Sequence, residues 1–540
     1  MALILFLPFT LVASTLLSNR QKHFQMKTIN QLTWKACLLV LSAGLLFTST
    51  GCNKFLDTER QGAYDEENYP YPGGSGPYDQ FIFGAYNDLR SFNLHSQSFI
   101  TAVSIRSDDA DKGSTPADGG ANALTMDNFP VLPSNGFLNT IWLGNYSLVT
   151  KCNSTIKEVN TNATIVAPEQ IKQQTLGEAR FLRAYAYFNL VRYFGSVPLI
   201  DSLFSDPAAQ NNVPQSSAAQ LYAFIESDLT FAAANLPLTW DAKFAGRVTR
   251  GAANGLLAKV YLTQKKWAAA QAAAQAVMAS GVYDLSTPYD KIFREEGENS
   301  RESIFEVQAT ASAAIPSANG VQYAQIQGTR GAGDWDRGWG WNTPSVQLEA
   351  AYEAGDPRKN RTIMYTSTAT TTYQTIYGET IPVGLPNPRY NGKVATNPSI
   401  RSAIGNRFGY WMNVRLLRYA DVVLMFAEAA NEVGGTANIE AARVALNSVR
   451  ARARAGNNSV LPDVTTTDQE LLRQAIRQER RVELAMEHDR FWDIVRWGIA
   501  QDVLQAAGKT NFSNSRDVLL PIPQTQIDLS AGVLKQNPGY

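Results

Sequence analysis

The chain has 540 residues, 44% of them hydrophobic and 18% charged, with 48 basic residues balanced by 48 acidic ones. This is the composition of an ordered globular protein too long for a single simple core, so one large composite body or two packed lobes is expected. Four of the basic residues (Arg20, Lys22, Lys27, Lys35) and none of the acidic ones precede position 52, leaving the remainder with a formal charge of about −4 and no basic stripe for nucleic acid.

From Met26 the sequence reads MKTINQLTWKACLLVLSAGLLFTSTGC. Lys27 and Lys35 give a positive start, Ala36 to Phe47 is an apolar or small run, and small residues lead to Gly51-Cys52. The run is too short to span a bilayer and reads as a secretory signal. Ending at a cysteine after a glycine, it has the form of a bacterial lipoprotein signal, although Ser49 stands where leucine is commoner. Cys52 would then become a diacylated N-terminus, each buried methylene adding about 0.8 kcal/mol of membrane affinity. An ordinary signal peptide with an incidental cysteine is the alternative. Met1 to Ser18 is a further apolar run, so residues 1–51 are taken as a signal region with Met26 as the working start; an upstream membrane anchor is the other reading. Past Cys52 the only thiol is Cys152, which can form neither an internal disulfide nor a thiolate zinc site.

Helical periodicity then dominates. It predicts helices over Tyr78–Phe92, Gly136–Val159, Pro168–Phe194, Ala218–Leu236, Thr249–Leu262 and Trp267–Ser280. More follow over Ser345–Ala354, Arg418–Val433, Ile439–Arg452, Asp468–Met486 and Asp489–Ala506. In Gly251–Gly281, Leu257, Val260 and Tyr261 form one apolar stripe, and after a turn at Gln264–Lys266, Ala270, Ala273, Ala274 and Val277 form another. Ala258, Tyr261, Ala270 and Ala274 have the spacing of a tetratricopeptide-like helix pair. A second pair flanks Gly434-Gly435. Stacked hairpins of this kind bury faces that none could cover alone. Between the helices, Gln61–Gly76, Ser107–Gly136, Ala309–Asn342 and Tyr365–Trp411 are irregular and too long for connectors, which points to function in the loops.

Several blocks resemble the SusD/RagB family in collinear order. ARFLRAYAYFNLVRYFGSVPLI (179–200), GRVTRGAANGLLAKVYL (246–262) and SRESIFEVQ (300–308) match first. RLLRYADVVLMFAEAANEVG (415–434), ALNSVRARA (445–453), IRQERRVELAMEHDRFWDIVRWG (476–498) and the terminal LLPIPQTQIDLSAGVLKQNPGY (519–540) follow, and CNKFLD (52–57) fits the mature start. The resemblance implies a mainly α fold: tetratricopeptide-like helix pairs packed against an irregular, loop-rich ligand-binding region. It implies an N-terminal part over 52–300 and a C-terminal part over 301–540, with the ligand loops at about 309–411. It further implies an outer-membrane lipoprotein, surface-exposed and lipid-anchored, which binds an oligosaccharide, or in some members a peptide, and delivers it to a SusC-type TonB-dependent transporter.

The residues themselves show no catalytic set. Past position 52 there are two histidines, His95 and His488, and no metalloprotease, nucleophile-elbow, P-loop or dinucleotide motif. Glu479, Glu483 and His488 could be read as acid/base groups, but Arg480, Glu483 and Glu487 sit at ion-pair spacings on one helix, so packing charges are expected. A helical glycoside hydrolase with paired carboxylates is the competing class.

For ligand capture, low-charge loops with tryptophans suit a neutral sugar, whose C–H face packs on an aromatic ring. GDWDRGWGWN (333–342) places Trp335, Trp339 and Trp341 with Asp334, Asp336 and Arg337 as polar partners; Trp339 and Trp341 belong to a stretch that recurs in related proteins and suits packing as well. Tyr69, Tyr71, Tyr390 and Trp411 are further candidates. In SDDADKGSTPADGG (107–120), Asp108 and Asp109 could meet ligand hydroxyls, or with Asp111 hold a structural calcium ion, although the spacing is not that of an EF-hand.

Overall fold

The computed structural model describes residues 76–317 and 320–540. Cys52, Tyr69, Tyr71 and the export segment lie outside the described residues. Eleven of its helices matter below: α1 (Asp79–Asp88), α2 (Gly136–Thr161), α3 (Glu169–Phe194), α4 (Ala218–Asn235), α5 (Arg250–Thr263), α6 (Trp267–Met278), α7 (Tyr419–Val433), α8 (Thr436–Ala453), α9 (Gln469–Glu483), α10 (Arg490–Arg496) and α11 (Ala500–Ala506).

The helices start where short polar side chains can satisfy free backbone N–H groups. Asn135 accepts from the Phe137 amide, Thr249 from Ala252 and Asp468 from Leu471, and Ser217 forms a capping box with Gln220. From α2 to α7 each helix packs on the next, and α8 and α9 both pack on α7. The two hairpins seen in the sequence, α5–α6 and α7–α8, are therefore neighbours across α6 and α7, though 140 residues of loops, strands and short helices separate those two helices in the chain. Ala270 and Ala274 are fully buried on α6, where their small side chains let adjacent backbones approach. Second in the row, α3 is buried on nearly every side from Ala179 to Phe194, because α1, α2 and α4 all pack against it.

One expected helix, Asp489–Ala506, is broken. The first segment ends at Arg496, and Gly498 takes φ +75° before α11 begins at Ala500. Glycine adopts that left-handed conformation without a side-chain clash, so the chain turns there. The helix expected to run to Met486 stops at Glu483, and Met486 and His488 are left-handed beyond it (φ 64° and 72°).

Of the eight short strands among the described residues, six organise the loop regions: β1 (Ala110–Gly113), β2 (Ser303–Val307), β3 (Trp341–Pro344), β4 (Ile363–Tyr365), β5 (Arg389–Asn391) and β6 (Val414–Arg418). They pair antiparallel as β1–β3, β4–β5 and β2–β6, with Ala110 opposite Pro344, Ile363 opposite Asn391 and Val307 opposite Val414. β3 also packs on β5, so loop segments far apart in the chain form one layer.

Between this layer and the stack lies a buried ion network. Arg418 Nη1 donates to Glu302 at 2.6 Å, its Nη2 to Glu483 at 3.0 Å and its Nε to Glu487 at 2.6 Å. Arg358 donates to Asp356, Glu479 and Glu483; Arg450 to Glu479; Arg452 to Glu483. Glu479 and Glu483 are thus held by four guanidinium groups from three other elements (the Pro357–Thr362 turn of helix, β6 and α8), and His488 Nε2 meets Tyr323 Oη at 2.5 Å. The supposed acid/base set is packing chemistry.

Candidate functional site

Three of the irregular segments singled out in the sequence meet in the loop layer. Pairing of β1 with β3 brings 107–120 beside 333–342, and β3 against β5 brings in 365–411. The layer separates the sequence candidates into those it buries and those it leaves at the surface.

Most are buried. Trp341 is 1% exposed and donates its indole N–H to Asp118 at 3.0 Å. Its ring lies against Gly119 (φ +74°), where a Cβ would come within 2.5 Å of the indole. Trp411 is 2% exposed and donates to Glu295 at 2.8 Å. Tyr390 is fully buried beside Asn387 and the Arg330 carbonyl. Trp339 is half-buried against the main core. Trp341, Trp411 and Tyr390 therefore offer a ligand no ring surface: their polar ends are satisfied from within and their faces are packed.

The acidic loop is corrected in the same way. Asp108 accepts from Arg490 Nε at 2.8 Å and Arg481 Nη2 at 2.7 Å, and Asp109 from Arg481 Nε at 2.8 Å. Burial pushes the Asp108 carboxyl up, but its hydrogen bonds and charge pairing with Arg490 and Arg481 outweigh that and hold it below the usual range. Asp111 lies on β1 with its side chain exposed, turned away from the inward Ala110 and Lys112. With two of the three carboxylates already neutralised by arginine and the third facing elsewhere, Asp108, Asp109 and Asp111 do not form a calcium cage, nor do Asp108 and Asp109 reach sugar hydroxyls. Among the described residues no three His, Cys, Asp or Glu side chains converge as a metal-binding group.

Trp335 is different. It sits in a single 3-10 turn, Gly333–Trp335, half-buried at the edge of the layer. The Arg337 guanidinium lies 3.9 Å from the centre of its ring. Arg337 is in turn fixed by a two-pronged pair with Glu379 at 2.9 and 2.8 Å and by donation to the Asp334 carbonyl at 2.8 Å. Arg401 also pairs with Glu379. Asp334 is exposed, and Asp336 meets Arg407 at 2.6 Å. Gly331 allows the loop to fold back, since a Cβ there would lie 2.8 Å from the Trp335 carbonyl oxygen. The result is an indole held from one side by a charged lattice, with part of its surface at solvent and carboxylates beside it.

Sequence reasoning missed Glu379 and Arg401, which set Arg337, and a stacked pair of half-buried tyrosines, Tyr365 and Tyr373, with ring centres 5.1 Å apart. Tyr373 and Glu379 share one turn, closed by the Ile381 amide donating to the Tyr373 carbonyl at 2.9 Å. The only sequence signal for Glu379 is that it is the single charged residue in the threonine-rich stretch 366–387.

Two family models match the chain: "SusD family" over residues 301–540 and "Starch-binding associating with outer membrane" over 83–262. A SusD-like protein P2 from Formosa agariphila is 28% identical over 483 residues, covering 85% of this chain and 91% of that one. A SusD-like protein from Bacteroides ovatus is 28% identical over 86% of this chain and 82% of its own. Among solved structures, a laminarin-binding SusD-like protein superposes with a TM-score of 0.72 at 27% identity, covering 86% of this chain and 99% of its own. Surface glycan-binding protein A from Bacteroides thetaiotaomicron, solved with laminarihexaose, gives 0.70 at 25% identity, covering 85% and 98%. With both halves matched by related models and the whole helical stack shared with these structures, the chain belongs to the SusD family.

Proposed function

We propose that this protein binds a neutral oligosaccharide, a glucan of the laminarin kind, at the loop layer around Trp335, and performs no chemistry on it. The observation that carries the reading is the indole of Trp335, backed at 3.9 Å by Arg337 and left partly open to solvent. A pyranose presents C–H groups that pack on such a ring while carboxylates and amides at the rim take its hydroxyls. Of the structural relatives, one is a laminarin-binding SusD-like protein and another was solved with laminarihexaose, which supports the ligand class. The protein acts at the outer membrane, tethered through acylated Cys52, and passes its ligand to a SusC-type transporter. Titration calorimetry with laminarihexaose tests the binding step: Trp335→Ala should weaken it about tenfold, ~1.4 kcal/mol. Recovery of cleaved sugar, or unchanged affinity in the variant, would overturn the reading.

A further inference from the structure

A groove of about 290 Å³ opens beside α1 and shares no lining residue with the surroundings of Trp335. Phe83 (41% exposed), Asn87 and Arg90 form one wall; Lys243, Phe244 and Gln308 face them. A second hollow of about 220 Å³ lies along the same strap, residues 244–247, so the strap stands between two openings.

The strap is built rather than loose. Arg247 Nε donates to the buried Glu178 at 2.7 Å, and its Nη1 lies 3.2 Å from Asp79. Its guanidinium carbon is 5.3, 4.1 and 5.5 Å from the ring centres of Phe83, Trp240 and Phe244. One anchored cation therefore orients three aromatic rings, two of which line the groove. Gly246 (φ +93°) abuts Gln308 so closely that a Cβ would lie 2.2 Å from it.

Charge at the groove is one-sided. Glu306 lines it, but its carboxylate accepts from Asn413 Nδ2 at 2.9 Å and the Asn299 amide at 3.3 Å. Arg90 donates to Asn87, and neither it nor Lys243 forms an ion pair with a carboxylate among the described residues. Two aromatic rings, side-chain amides and two cations without a carboxylate partner, Lys243 Nζ lying 4.9 Å from the Phe244 ring centre, are the complement of a sugar that carries a negative charge beside its ring.

We propose that this groove is a second carbohydrate site that takes a carboxylate-bearing sugar unit, its ring against Phe83 and Phe244 and its carboxylate on Arg90 and Lys243. This rests on the glycan-binding reading above and adds a site and a ligand class to it. The test is titration of the full mature protein with hexagalacturonate and, separately, laminarihexaose, at low and high salt, for wild type and the Arg90→Gln/Lys243→Gln double variant. Both substitutions replace solvent-accessible cations, and a thermal melt checks that the fold is kept. Hexagalacturonate should bind wild type, weaken with salt as an exposed charge contact does, and lose at least about tenfold in the double variant. Laminarihexaose should change less than about twofold in that variant. Phe244→Ala supplies a second arm and should weaken hexagalacturonate alone. Equal loss of both oligosaccharides, or hexagalacturonate binding indifferent to the substitutions, overturns the proposal, as does wild type that binds laminarihexaose but no hexagalacturonate. Wild type that binds neither sinks the wider glycan reading as well.

Discussion

Arg418 on β6 and Arg337 in the loop layer each carry a guanidinium that meets carboxylates from far along the chain, yet their settings differ. Arg418 is 2% exposed and divides its donors among Glu302, Glu483 and Glu487, the first two of them closed off from solvent. Arg337 pairs with Glu379 at the edge of the layer and uses its flat face to hold the half-exposed Trp335. Charge in the stack fixes how helices and strands dock; charge at the edge aims a ring. The first arrangement is sensitive to any loss, because an unpaired buried charge is costly, while the second can vary with a modest effect on folding.

Arg418→Met gives the largest expected effect. It leaves the buried Glu302 and Glu483, and the partly buried Glu487, each short of a partner and should cost about 3–5 kcal/mol, read as a lowered urea midpoint with an unchanged slope. A variant as stable as wild type would show that the network is redundant and that the contrast with Arg337 is empty.

Acid should separate the regions next. His95 donates Nδ1–H to the Leu89 carbonyl at 2.7 Å, so Nε2 is left to accept from Tyr185 Oη at 2.7 Å, and the ring is held neutral. Burial lowers its pKa to about 4, and burial first, then the Lys393 ammonium and the repulsion His95 would exert if both rings were protonated, lowers that of His488 to about 3. Unfolded histidine titrates near 6.5, so below that pH the unfolded chain binds protons that the folded one refuses, and stability falls on acidification. By pH 5 each histidine should cost on the order of 2 kcal/mol. Glu298 works the other way: burial raises it to about 7, so it takes up a proton on folding and gains stability as pH drops toward the usual carboxylate range. Comparison with His488→Asn, a residue that tolerates the left-handed backbone there, isolates the histidine. Its melting temperature should fall less steeply from pH 7 to pH 5 than that of wild type. Parallel slopes would place the acid sensitivity elsewhere.

What the sequence disclosed follows the same division. The helices of the stack were readable because a buried stripe repeats every three or four residues, as in α5 and α6. The break at Gly498 was not, since it rests on one residue's φ within an otherwise helical pattern. In the loop layer the fate of each side chain depends on partners hundreds of positions away. Asp108 looks like a free carboxylate until Arg481 and Arg490 arrive from α9 and the start of α10. Trp335 and Trp341 are six residues apart in a uniform Gly/Trp stretch, but one ends a 3-10 turn at the edge and the other begins β3 with its side chain inward.

Arg337→Met should therefore affect binding more than folding. The Arg337 guanidinium is buried, but Glu379 is 22% exposed and keeps Arg401 as a partner, so no carboxylate is left buried and unpaired and the loss should cost only about 1 kcal/mol of stability. Without the guanidinium at 3.9 Å the indole can rotate, and laminarihexaose affinity should drop about threefold to tenfold in calorimetry. A stability loss as large as that of Arg418→Met would mean that the edge is built like the interior.

The smallest effect is expected at Asp111. On β1 successive side chains face opposite ways, so Asp111 points to solvent while Ala110 and Lys112 point inward. Asp108 and Asp109, which precede the strand, are taken up by two arginines and have no charge to spare for a cation. Asp111→Asn should change stability by no more than about 0.5 kcal/mol. Added calcium should leave the melting temperature where it was, whereas an ion saturating a native site at a hundred times its dissociation constant would stabilise by about 2.7 kcal/mol. A calcium-dependent rise abolished by Asp111→Asn would mean that the arginine clamp opens and that the acidic loop is a metal site after all.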